Sequence, residues 1–327
     1  MSSSSAMYLN LLSLPILAFA LGCFSRLIRS DLSLPKEVFS ALATYLLFAI
    51  GIKGGVELSH TEASTIALPI FLTVLLGCIT PVTAFAVLRY LGRFKQADAA
   101  GIAAHYGSVS AVTFMAAQKF VTDQGCPSEG FMSTLLTILE SPGIAMALFL
   151  GLISSEQTRS MKSAIHEVFT SRGFLLMMGG LVLGACTGEK NWSDVSLFFD
   201  SRGPVFRGIL CLFLLHMGTM EGERLCDLRK VGWFLIAFAI IIPIVHGCLG
   251  VYLGTLAGLS LGGATVLGTM AASASYIAAP PAVRLTLPEA NPTFYLTCSL
   301  GITFPFNLIL GIPLYYQFAQ YFISHQQ

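Results

Sequence analysis

Charge is what this sequence has least of. Only 11% of its 327 residues are Asp, Glu, Lys or Arg, against about 25% in an ordinary soluble domain. That is too few to cover a soluble fold of this size. The few charges are balanced, 18 Lys and Arg against 17 Asp and Glu, for a net charge of +1. Such a balance excludes the basic surface of a nucleic-acid binder and a strongly charged substrate groove. Cysteine occurs eight times, at 23, 78, 126, 186, 211, 226, 248 and 298, without a CxxC pair. These thiols read as small apolar fillers rather than as a metal or dithiol centre. The stretch "HEVFT" at 166–170 carries Thr where a zinc protease needs its second His. No nucleophile stands with a base, so no enzyme and no cofactor are expected. No basic residues precede the first apolar run, "MSSSSAMYLNLLSLPILAFALGCFSR", which therefore reads as a membrane span rather than a cleaved leader.

What is present is apolar length. A bilayer-crossing helix needs about 20 mostly apolar residues. The windows 64–88, 231–283 and 290–327 contain no Asp, Glu, Lys or Arg at all. Ten spans fit, over 8–27, 36–58, 64–88, 97–121, 130–154, 173–188, 204–222, 231–256, 259–284 and 291–323. With ten spans, thirteen of the 18 Lys and Arg fall in loops on one side and five on the other. The positive-inside rule puts the thirteen in the cytoplasm and both termini outside. The polar stretch 154–172 then becomes a cytoplasmic linker, either a plain connection or a docking surface for a soluble regulator.

A split at that linker exposes an internal repeat. "IGIKGG" (50–55) matches "MGTMEG" (217–222) at Gly51/Gly218 and Gly55/Gly222, and "GSVSAVTFMAA" (107–117) matches "ASASYIAAPPA" (272–282) at Ser108/Ser273 and Ser110/Ser275. Pro142 and Pro305 follow Glu140 and Thr303 by two positions in spans 5 and 10. Five spans per half is an odd number, so the halves enter the membrane from opposite sides. The expected fold is all-α and polytopic: a first five-helix repeat over 1–154, a cytoplasmic linker over 155–172 and a second repeat over 173–327, with spans 4 and 9 discontinuous.

The serine motifs are the candidate site. Small residues let a helix break, and each helix N-terminus carries roughly half a positive charge with unspent N–H donors. Two such ends crossing antiparallel supply about one positive charge without Lys or Arg, which suits a small monoanion. Pro280 and Pro281, lacking N–H groups, are expected to end a helix there. Glu140, inside span 5, is a cation ligand or proton carrier by default. Its repeat counterpart Thr303, with Asn307, adds the hard oxygens an alkali cation prefers. His105, His216 and His246 lack the spacing of a metal site and read as interior histidines.

The stretch 273–316, with "SASYIAAPPA" and "PEANP…TFPFN…GIP", resembles the sodium-dependent bicarbonate permeases of the SbtA type, and "ESPGIAMAL" resembles their first repeat. The resemblance implies a commonly trimeric plasma (inner) membrane symporter that moves bicarbonate with sodium by an elevator-like shift. It places Gly107, Ser108, Ser110, Ala272, Ser273 and Ser275 near bicarbonate, and Glu140, Thr303 and Asn307 near sodium. A PII-like regulator on the cytoplasmic face is implied too. Glu140 stands where the family's cyanobacterial member has Asp. Alternatives are a sodium- or proton-coupled carrier of another small monoanion, and a membrane anion sensor signalling through the linker.

Overall fold

The computed structural model describes residues 12–153, 161–200, 203–224 and 228–325. The segments 1–11 and 326–327, which carry the expected extracytoplasmic termini, and 154–160 of the linker lie outside these residues. The protein is 83% helix, and no strand occurs among the described residues. Helices close their backbone hydrogen bonds within one segment, as an apolar environment requires.

In chain order the helices are α1 (Leu14–Leu27), α2 (Lys36–Ser59), α3 (Ala63–Ala86), α4 (Gln96–Tyr106), α5 (Ala111–Asp123), α6 (Met132–Glu140), α7 (Pro142–Leu152), α8 (Met161–Thr170), α9 (Arg172–Phe199), α10 (Pro204–Arg224), α11 (Leu228–Leu256), α12 (Leu261–Ala272), α13 (Ala279–Thr286) and α14 (Pro292–Ser324). Among the described residues, six helical segments are long and apolar enough to cross a bilayer, including Lys36–Ser59, Ala63–Leu91, Met132–Leu152, Val231–Leu256 and Pro292–Ser324. Leu68, Phe71 and Val82 of α3 are exposed, an apolar surface of the kind a bilayer covers. The expected span 6, 173–188, runs on as helix to Phe199. Gly232, at φ 75°, kinks the start of α11.

Helices pack by backbone approach in two pairs. A side chain on Gly55 or Gly184 would strike the backbone of the facing helix, which joins α2 to α9. Gly22 and Gly218 do the same for α1 and α10. Small residues at such crossings are how helices adhere in lipid, where no hydrophobic force drives them together.

Elsewhere the interior divides into two apolar clusters. One gathers Val112 and Phe114 of α5 with Leu267 and Met270 of α12; the other gathers Ile102 and Tyr106 of α4 with Ala279 and Val283 of α13. The halves of spans 4 and 9 therefore pair as α5 with α12 and α4 with α13. That order requires the two broken spans to cross antiparallel, with their breaks at the seam between the clusters.

Gly184→Leu must fit its side chain against the Ile52 backbone, and overpacking of this kind costs roughly 1–3 kcal/mol. Thermal unfolding in detergent should show a clear drop for Gly184→Leu. Gly179→Leu, on the same helix with open space around it, should unfold near the wild-type temperature.

Candidate functional site

The first break begins where α4 ends. The Gly107 N–H still bonds the Ala103 carbonyl at 2.8 Å, and then the chain turns out of the helix. Gly107 lies against Gly143 near the start of α7, so closely that a Cβ on Gly143 would collide with the Gly107 carbonyl. Ser110 starts α5: its backbone is extended, and its hydroxyl oxygen accepts from the Thr113 N–H at 3.2 Å. This is an N-cap, which satisfies one of the donors every helix start leaves open.

The second break spans 273–278. Ser275 accepts through its hydroxyl oxygen from the Ala278 N–H at 3.2 Å, just before α13. Pro280 and Pro281 lie in the first turn of α13. Here the structure corrects the sequence reading: the prolines begin a helix rather than end one, since a missing N–H costs nothing in the first turn. Their presence also leaves α13 fewer N–H donors than α5.

The breaks are stitched to each other. The Ser110 N–H donates to the Ser273 hydroxyl at 2.9 Å, which donates onward to the Met270 carbonyl at 2.8 Å. The Ser275 N–H donates to the His105 carbonyl at 2.8 Å, and His105 Nδ1–H donates back to the Ser275 carbonyl at 2.5 Å. The Ser110 hydroxyl donates to the Tyr276 hydroxyl at 3.3 Å. Ser110 and Ser273 thus spend their protons inside the protein. Ser108 does not: it is 1% exposed, and its hydroxyl has no hydrogen-bond partner. A buried hydroxyl left so costs about 1–3 kcal/mol, which leaves Ser108, like Thr113 Oγ1 in the first turn of α5, open to a ligand.

Around the crossing sit Thr303 and Asn307 of α14. Tyr106, the last residue of α4, donates to Thr303 Oγ1 at 2.7 Å, and Thr303 donates to the Ala239 carbonyl at 2.7 Å. Asn307 Nδ2 donates to the carbonyl of Ala272, the last residue of α12, at 2.8 Å, while its Oδ1 accepts from Tyr315 at 2.9 Å. Pro305 does not break α14; π-helical turns at Thr297–Thr303 and Asn307–Gly311 flank it. Inserted turns of this kind re-aim side chains and cluster at functional sites.

Of the nine candidate residues, eight lie at or beside the crossing. Glu140 stands apart. It is buried, its Oε2 has no partner, and its carboxylate faces Gly173 at the start of α9. It is not hydrogen-bonded to Thr303 or Asn307. A second acidic residue, Glu221 of α10, is buried as well. Sequence reasoning read His105 as an interior histidine, as its burial shows it to be, without its bond to Ser275, and did not single out Tyr106, Tyr276 or Tyr315. His105, Tyr106 and Tyr276 adjoin or lie within the serine motifs, and that adjacency was the available signal.

A cavity of about 890 Å³ opens between α1, α5 and α10. Lys119 and Arg207 line it together with Met115, Leu214 and Leu308. Leu308 follows Asn307, so this cavity reaches within one residue of the crossing's support.

Asn307→Leu would leave both the Ala272 carbonyl and the Tyr315 hydroxyl buried without a partner, at roughly 1–3 kcal/mol each. Tyr315→Phe removes only one bond. Thermal unfolding should therefore order the proteins wild type, then Tyr315→Phe, then Asn307→Leu; an unchanged Asn307→Leu contradicts the bridging role.

Comparison with curated proteins returns no match. The family model of the Na+-dependent bicarbonate transporter superfamily matches residues 15–320.

Proposed function

The chain belongs to the Na+-dependent bicarbonate transporter superfamily, and from that premise we propose that it is a sodium-coupled symporter which takes up bicarbonate at the seam where the two broken spans cross. One observation carries this: two helices begin at an uncharged polar crossing where the buried Ser108 hydroxyl has no partner in the protein. Helix starts attract anions without a permanent charge. A site without Lys or Arg also releases its anion, as a carrier must.

The inverted repeat is part of the same reading. A two-fold relation exchanging spans 1 with 6 and 2 with 7 requires span 1 to pack on 7 as span 2 packs on 6. The α1/α10 and α2/α9 pairs fit that pattern. Matched residues also do matched work: Ser110 and Ser275 each accept from the N–H three residues on, Thr113 and Ala278.

In the proposed cycle sodium uses oxygens of Thr303 and Asn307, which tie α14 to the ends of α4 and α12, while Glu140, whose carboxylate faces Gly173, serves as a separate buried acidic group for a cation. Bicarbonate then accepts from the Ser108 hydroxyl and the first N–H groups of α5. An elevator-like movement carries this assembly past the glycine-packed α1/α10 and α2/α9 pairs. The homotrimer, the plasma-membrane location and a PII-like regulator docking on the 155–172 linker belong to this proposal as well.

Purified protein in liposomes should accumulate labelled bicarbonate several-fold faster with an inward sodium gradient than with potassium. Uptake indifferent to sodium rejects the coupling. Ser108→Ala should raise the KM for bicarbonate about three- to tenfold, the worth of one neutral hydrogen bond, with the unfolding temperature of the ligand-free protein raised, since the unpartnered hydroxyl is gone.

A further inference from the structure

The serine stitching at the crossing is almost two-fold symmetric, and the place where symmetry fails points to His105. In one half the Ser110 N–H is taken by the Ser273 hydroxyl. The equivalent bond in the other half would run from the Ser275 N–H to the Ser108 hydroxyl. Instead the His105 carbonyl takes that N–H, and the His105 ring returns a bond to the Ser275 carbonyl. Both backbone groups of Ser275 are thereby held by one residue.

Resting on the function proposed above, we infer that His105 is a positioning residue: it clamps Ser275 so that the Ser108 hydroxyl is left open for the anion. Three features fit His105 for that work. The ring is wholly buried, so water does not compete for its bond. It stacks on Tyr295 of α14 at 4.7 Å between ring centroids, with planes 24° apart, which fixes its rotation. Donation from Nδ1 to a carbonyl also fixes the tautomer, because a carbonyl only accepts. The residue's Nε2 is then a lone pair, and it has no partner in the protein. Losing the ring's bond leaves Ser275 held only through its N–H on the main-chain carbonyl of residue 105, so the 273–278 segment loosens and its N–H can shift to the Ser108 hydroxyl, which closes the half-site without unfolding the protein.

The test exploits side-chain length. Asn places an amide N–H where His carries Nδ1–H, whereas Gln places it one bond farther out. Bicarbonate uptake in liposomes and hydrogen–deuterium exchange of the peptide containing 273–278 should be measured for wild type, His105→Asn, His105→Gln and His105→Ala, all full-length. His105→Asn should keep wild-type KM and slow exchange. His105→Gln and His105→Ala should raise KM about tenfold, the equivalent of one well-made hydrogen bond, with kcat little changed and exchange of 273–278 accelerated. Should His105→Ala fail to fold, the Asn and Gln pair still decides the matter. Wild-type KM and exchange in His105→Gln overturn the clamp, and so does an Asn variant as impaired as Gln. A wild-type protein that moves no bicarbonate rejects the transport reading, while the exchange measurement still tests the clamp on its own.

Discussion

Inside an apolar layer every backbone N–H and C=O must find a partner, and this one constraint organises the molecule. Most of the chain meets it by being helix. Two stretches, 107–110 and 273–278, do not, and they persist because they satisfy each other. Ser110 bonds Ser273, and Ser275 bonds His105 twice. Irregular backbone at this depth survives only where protein or a polar cavity answers it. The crossing is therefore costly structure, held in place by the two apolar clusters that close over its sides.

The same economy explains why the proposed anion site needs no cation of its own. A Lys or Arg at the crossing would demand a partner whenever the anion left, and an unpaired buried charge is expensive. Helix starts supply partial charge that needs no such compensation. The cationic Lys119 and Arg207 instead line the cavity between α1, α5 and α10. Glu140 obeys the same logic from the other side, as a buried carboxylate that invites a cation.

Much of the architecture was legible in the residues. Apolar windows located the helices, and the repeated Ser-x-Ser motifs located both breaks, because period and small-residue composition are local properties of the chain. Partnership was not. Nothing in "GIAAHYGSVS" says that the His105 ring bonds a carbonyl 170 positions on; an interior histidine was the natural reading. The direction of Pro280 and Pro281 was misjudged for a related reason. Proline stops a helix or starts one according to the chain before it, and Ser275 had already set that start by accepting from Ala278. Glu140 was grouped with Thr303 by repeat position, yet it faces Gly173, since repeat equivalence relates places and does not bring them into contact.

The central claim is that the anion sits where the two breaks cross. A structure of the lipid-embedded protein determined with sodium and bicarbonate, and again without bicarbonate, tests this most directly. The account predicts bicarbonate-dependent density against the Ser108 hydroxyl and the first turn of α5. Density confined to the cavity between α1, α5 and α10, with the crossing unchanged, would contradict it.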